Sequence, residues 1–125
     1  MIIFSYIFIY GCATKTEDTS LSICVHDPPL SYANFGKGFI DIHCVGCHAE
    51  DLPEGHRVGA PIGVDLNTYD HVLTWADRIE ARATRAFSDV ITMPPGGGPT
   101  EDELDLFEEW VYCAVLPQKS VRDSQ

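Results

Sequence analysis

The 125-residue sequence predicts an all-α domain. Three observations support this fold class: three segments have helical periodicity, no segment alternates convincingly as a strand, and the long connections are rich in Gly and Pro. The length accommodates one domain. Connections as long as residues 49–67 and 88–99 usually enclose something in a compact domain, so we expect three main helices around a bound group.

The first helix is expected from about Asn34 to Gly46. Phe35, Phe39 and Ile42 recur there at the spacing of one helix face. Asn34 is a suitable N-cap because its side chain can accept a hydrogen bond from the first turn. The apolar stripe therefore predicts that this helix packs on the core.

The second helix is expected from about residue 68 to residue 87. Val72 and Ile79 belong to an apolar stripe that continues at three- and four-residue steps over four turns. Asn67 or Thr68 is expected to cap it.

The third helix is expected from about Glu101 to Val115. Thr100 and Glu103 have the spacing of a capping box, and acidic residues fill the first turn, where the helix dipole favours them. Pro117 is expected to end this helix, because proline lacks the backbone N–H that the next turn needs.

The N-terminus has the character of an export signal. The first ten residues are almost entirely apolar, too short for a membrane span but suited to a signal core. Gly11-Cys12 resembles the end of a bacterial lipobox, so Cys12 is expected to be acylated, with an ordinary signal peptide as the alternative. Because no Lys or Arg occurs in the first ten residues, a longer signal upstream is also considered. The expected division is signal 1–11, tether and N-terminal extension 12–31, domain 32–117 and polar tail 118–125.

The formal net charge is −11 at pH 7. A general nucleic-acid binder needs a basic face for phosphates, so this class of partner is excluded. The charge favours docking partners with a basic face. Membrane attachment is expected only through the lipid on Cys12.

The motif that carries chemistry is Cys44-Val45-Gly46-Cys47-His48, a C-x-x-C-H sequence typical of covalent haem c attachment. Two thiols one helical turn apart can add to the two vinyl groups on one edge of a porphyrin. The next residue, His48, then provides an imidazole nitrogen to the iron. We therefore expect one covalent haem, with Cys44, Cys47 and His48 in its site.

Three other interpretations use the same residues. A thioredoxin-like dithiol needs a βαβ setting, which the sequence lacks. A zinc site needs a second pair of ligands, and His43, His48 and His56 fit no common zinc module. A structural disulfide between Cys44 and Cys47 would leave His48 unexplained.

Over roughly residues 32–116 the chain resembles bacterial class I cytochromes c. Beside the attachment motif, Gly36 lies eight residues before Cys44, where the family has a small residue at a close helix crossing. Phe107 and Trp110 match the apolar and aromatic pair that meets it. The resemblance implies a small cytochrome c fold, with three main helices around one haem and long Gly- and Pro-rich loops.

The resemblance also implies that Met93 is the distal iron ligand. Met93 lies 45 residues after His48, in a Pro-containing loop before the last helix. A thioether suits haem iron and raises its reduction potential relative to a second imidazole. His56 and His71 are the alternative ligands, and core filling is the alternative role for Met93. His43 is expected to point away from the site, and His26 to lie on the surface.

Three further assignments concern the surroundings of the haem. In the family, a proline at the position of Pro61 offers its carbonyl to the proximal imidazole N–H, and a simple turn proline is the alternative. Trp75 is expected to line the haem and donate to a propionate, with core packing as the alternative. The arginines of the middle helix are expected to form a solvated face rather than propionate ligands; they are Arg78, Arg82 and Arg85.

The two remaining cysteines, Cys24 and Cys113, are expected to form a disulfide, since the chain is expected to be exported. Free buried thiols are the alternative. The expected location is the bacterial periplasm, with a lipid anchor and the outer membrane favoured.

The sequence therefore predicts an electron carrier and not an enzyme. Two alternatives stay open: a haem-containing oxidoreductase or peroxidase, or a subunit of one, and a gas-sensing haem domain. The enzyme would need an open distal position on the iron with a placed acid/base residue, whereas in the gas sensor a small gas would displace Met93.

Overall fold

The computed structural model describes residues 23–88 and 90–125, so the expected signal and Cys12 lie outside the described part. The described residues contain helices and no strand, which confirms the all-α class for this part of the chain. None of these helices is long and apolar enough to span a bilayer. The helices are α1 (Lys37–His43), α2 (Val45–His48), α3 (Tyr69–Thr74), α4 (Ala76–Ala83), α5 (Glu101–Trp110) and α6 (Leu116–Asp123).

The first helix begins earlier than expected. A π turn over Tyr32–Gly36 leads into α1, and Ser31 rather than Asn34 is its N-cap. Asn34 takes the third position of the capping box and accepts from Ser31 N at 2.6 Å. The buried face is also rotated from the expected one, because Ile40 is buried and Ile42 is exposed.

For the middle helix, the predicted N-cap is confirmed, but the predicted C-terminal end is wrong. Thr68 caps it, as expected, by accepting from His71 N. The helix is broken at Trp75, which separates α3 from α4. It ends at Ala83, because Thr84 becomes extended while its hydroxyl donates to Glu80 O at 2.6 Å.

The last helix confirms the capping box of Thr100 and Glu103. The expectation that Pro117 ends it is wrong. A π turn over Val111–Val115 closes with Leu116 N donating to Val111 O, and Pro117 then occupies the first turn of α6. A π turn interrupts the regular ladder, so the proline displaces no established bond there.

The segment expected to be a polar tail is therefore largely helical, and it packs on α3. Gln118 accepts from Tyr69 Oη at 2.9 Å, and Arg122 Nη2 donates to Leu73 O at 3.2 Å. The terminal helix thus extends across the middle one.

The π turn before α1 and helix α5 are in close contact where Gly36 meets Trp110. A Cβ on Gly36 would lie only 2.7 Å from Trp110 Cη2, so no larger residue fits without movement. Beside this crossing, the rings of Phe39 and Phe107 stack at 4.1 Å. Trp110 and Phe107 are buried, which places the core at this crossing.

The chain before α1 is bonded to α5 and to the π turn that follows α5. Cys24 and Cys113 form a disulfide with a Cα–Cα distance of 5.8 Å. Beside it, the buried Glu109 accepts from Val25 N and His26 N, each at 2.9 Å, and from His26 Nδ1 at 2.7 Å. Residues 24–26 are thereby held against α5 and the π turn that follows it.

Candidate functional site

A cavity of about 470 Å³ lies between the helices and the two long loops. This volume is in the range of cofactor sites, which run from about 300 to 1,000 Å³. Its floor is apolar and includes Phe39, Ile40 and Phe107. The long loops, predicted to enclose a bound group, supply much of its remaining wall.

The cavity brings together the haem-site residues that were proposed from the sequence. They are Cys44, Cys47, His48, Pro61, Trp75 and Met93. The alternative iron ligands His56 and His71 are not among the residues that line it. His26 is on the surface, as expected, and pairs with Glu109.

The attachment motif forms a tight turn on the cavity wall. Cys44 caps α2, and its carbonyl accepts from Cys47 N at 3.1 Å and from His48 N at 3.0 Å. Both sulfurs are free, and neither is bonded to the other. Burial, with a smaller contribution from Cys47, raises the pKa of the Cys44 thiol to about 12.

His48 is oriented by a backbone carbonyl. Its Nδ1 lies 2.7 Å from Val64 O. Because a carbonyl oxygen only accepts, Nδ1 must be the protonated nitrogen, which leaves the Nε2 lone pair available to a metal.

The assignment of this carbonyl to Pro61 is wrong. Pro61 lines the cavity, but its carbonyl accepts from Val64 N at 3.2 Å and from Arg57 Nη2 at 3.0 Å. In the turn from Pro61 to Val64, the Pro61 carbonyl accepts a hydrogen bond from the Val64 backbone N–H. The Val64 carbonyl is the one that bonds His48.

Arg57 is the residue that sequence reasoning missed. It is 1% exposed, and it lines the cavity from within the first long loop. Its guanidinium forms an ion pair with Asp65 at 2.7 Å. It also donates to four carbonyls, those of Ala49, Ala60, Pro61 and Val64. No local sequence pattern distinguishes a buried arginine from the far commoner solvated one.

His43 also lies on the cavity wall, so the expectation that it points away is wrong. It belongs to the face of α1 that carries the buried Phe39, with ring centroids 4.6 Å apart. Its Nε2 is buried without a hydrogen-bond partner, and the Glu103 carboxylate is 3.7 Å away. The buried face of α1 runs through Gly36, Phe39, Ile40 and His43, and this register explains its position.

Met93 reaches the cavity from the second long loop. Arg82 O, near the end of α4, accepts from Met93 N at 3.0 Å and from Thr92 N at 2.8 Å. Pro94 and Pro95, which also line the cavity, restrict the backbone directly after it. The side chain of Met93 is thus carried by a loop tied to the middle helix.

The three arginines of the middle helix divide into two groups. Arg78 and Arg82 are exposed, as expected, yet both also line the cavity, which places them at its rim. Arg85 is not a free solvated residue. Its guanidinium donates hydrogen bonds to the carboxylates of Glu108 and then Asp105, and these bonds raise the pKa of the guanidinium. It ties the end of the middle helix to α5.

Among residues 23–88 and 90–125, no group of three or more His, Cys, Asp or Glu side chains is placed to hold a metal ion. Comparison of the chain with protein-family models, with curated proteins and with solved structures found no match.

Proposed function

We propose that the chain is an electron-transfer domain of the c-type cytochrome kind, with one haem c held by Cys44 and Cys47. His48 and Met93 are the proposed axial ligands. One observation carries the proposal: a single apolar cavity collects both thiols of the motif, its imidazole and a thioether from 45 residues later in the chain. This is the donor set of a six-coordinate haem c.

The residues present fit the group. The cavity has cofactor size, and its apolar lining suits a porphyrin face. His48 and Met93 are only two ligands, so a metal here depends on a group that brings its own nitrogens, as a porphyrin does.

His48 is prepared for the proximal position. The bond from Nδ1 to Val64 O fixes the ring and its tautomer, and it increases the basicity of Nε2. The chain thus orients the ligand before any metal is bound.

Met93 is proposed for the distal position. Two backbone hydrogen bonds tie its loop to Arg82 O, which limits movement of the backbone that carries the sulfur. A rigid sixth ligand leaves no position for a substrate, which favours an electron carrier over an enzyme.

The charges at the cavity rim are suited to the carboxylates of the proposed haem, its two propionates. Arg78 and Arg82 place two positive charges there, and Trp75 also lines the cavity. We assign them to the two haem propionates. Arg78 and Arg82 are exposed, so each ion pair that they form contributes little to stability.

The haem supplies one-electron cycling of its iron between Fe(III) and Fe(II). The chain accepts one electron from a donor protein and passes one to an acceptor protein. The formal charge of −11 favours partners with basic docking faces and brief, electrostatically steered encounters. A periplasmic location with a lipid on Cys12 remains part of the proposal, and the Cys24–Cys113 disulfide supports an oxidising compartment.

Ligand binding by the haem-loaded protein tests this function. We expect a methionine-to-ferric-iron charge-transfer band in the wild type and no binding of carbon monoxide or cyanide at modest concentration. Met93→Ala should lose the band and bind both ligands, whereas Val90→Ala, an exposed position in the same loop, should behave as the wild type. A wild type that is five-coordinate as purified would contradict the carrier and favour a peroxidase or a gas sensor.

A further inference from the structure

The carbonyl of Val64 serves two donors. His48 Nδ1 lies 2.7 Å from this oxygen, and Arg57 Nη2 donates to it at 3.0 Å. A carbonyl has two lone pairs, so both bonds are satisfied at once. The buried cation and the imidazole therefore share one acceptor.

The same guanidinium nitrogen is paired with a carboxylate. Arg57 Nη2 lies 2.7 Å from Asp65 Oδ1, and the Asp65 side chain is 15% exposed. Interactions between charges are strong in such a setting, because little water screens them. A continuous path thus runs from Asp65 through Arg57 and the Val64 carbonyl to His48.

We propose that Arg57, poised by Asp65, is a positioning residue that sets the basicity of the His48 imidazole and thereby raises the reduction potential of the haem. This inference rests on the proposed function. A donor cation on Val64 O withdraws electron density from the acceptor, so His48 Nδ1–H is bound less strongly. A less basic imidazole, and a nearby positive charge, both favour Fe(II) over Fe(III).

The two members of the ion pair have opposite expected effects. Arg57→Met removes the cation and leaves Asp65 as an uncompensated negative charge, so the potential should fall. Asp65→Asn keeps the shape and an acceptor oxygen for Arg57 but removes the negative charge, so the potential should rise. A purely structural role predicts otherwise, because a loosened loop that admits water favours Fe(III) in both variants.

The experiment is a spectroelectrochemical titration of the haem-loaded wild type, both variants and Glu54→Gln. Glu54 is an exposed carboxylate in the same loop, so its replacement is the matched control. For Arg57→Met and Asp65→Asn we expect the one-electron reduction equilibrium constant to change at least threefold, in opposite directions. At 59 mV per tenfold change, this is a shift of about 30 mV in the reduction potential. Glu54→Gln should change the equilibrium less than this.

The outcomes separate the inference from the proposed function. Shifts of the same sign in both variants, or no shift in either, overturn the inference alone, provided that the wild type contains haem with two axial ligands. If Arg57→Met fails to accumulate, Asp65→Asn decides alone: a rise supports the inference and any other result overturns it. A wild type without covalent haem overturns the proposed function, and this inference with it.

Discussion

Replacement of Gly36 by alanine tests the helix crossing on which the cavity depends. The backbone of Gly36 is right-handed helical, with φ −58° and ψ −41°, so alanine suits the local conformation. The added Cβ would lie 2.7 Å from Trp110 Cη2, and nearer to two other atoms of that ring. Since carbon atoms pack at about 3.5–4.0 Å, the nearest atom of the ring must retreat by more than about 1 Å.

The ring has little space for this movement. Trp110 is 0% exposed and is held between Phe35, at 6.2 Å, and Phe107, at 5.8 Å, measured between ring centroids. Overpacking of this kind costs about 1–3 kcal/mol. We expect the upper half of this range, less the small gain in helix propensity, or about 2 kcal/mol of net destabilisation.

Gly38→Ala is the matched control. Gly38 lies two residues later, in α1, and a Cβ there would meet nothing within 4 Å. This variant should gain about 0.5–1 kcal/mol from helix propensity alone. The two variants should therefore differ by about 3 kcal/mol in urea unfolding, or by roughly 12–24 °C in Tm. Equal stability of the two variants would refute the close crossing.

Three further predictions concern the rest of the frame. Replacing both Cys24 and Cys113 by serine should cost up to about 4–5 kcal/mol in urea unfolding, because the disulfide closes a loop of 89 residues; a stability unchanged by this replacement and by reductant would show that the bond does not form. Burial opposes ionisation of Glu109, but its hydrogen bonds from the backbone and side chain of residue 26 prevail and lower the pKa of the carboxyl from 4.5. The stabilisation by the Glu109 carboxylate is therefore present above pH 4.5 and lost as the pH falls through its lowered folded pKa. Glu109→Gln should be destabilised at pH 7 and approach the wild type once the pH is below that lowered pKa; a constant difference would contradict this. Thr100→Ala should cost about 0.5–2 kcal/mol by removing the cap of α5, and an unchanged unfolding midpoint would contradict it.

Short-range sequence signals predicted where several of the helices begin. The capping box at Thr100 and the cap at Thr68 were readable because one or two side chains within four residues determine them. The Gly36 and Trp110 crossing followed from a resemblance, and the structure confirms the contact. These elements fix where the main helices start and where two of them meet.

The predictions that were wrong concern features determined by tertiary contacts, which a local sequence pattern does not contain. Pro117 stops an α-helix in isolation, but the preceding π turn and the packing of Arg122 on Leu73 O sustain the terminal helix. The proximal carbonyl belongs to Val64 instead of Pro61, because backbone acceptors have no residue signature. The burial of Arg57 depends on the whole loop that it holds. The haem itself stays a prediction.

The mass of the mature protein tests the central claim most directly. The full chain would be exported in a bacterial host with a haem-attachment system and measured by intact-mass spectrometry, alongside a variant with Cys44→Ala and Cys47→Ala. The account predicts a wild type heavier than its processed polypeptide and any acyl groups by one haem, with a Soret peak that survives denaturation, and a variant without either property. A colourless wild type with only the mass of its amino acids and lipid would contradict the account.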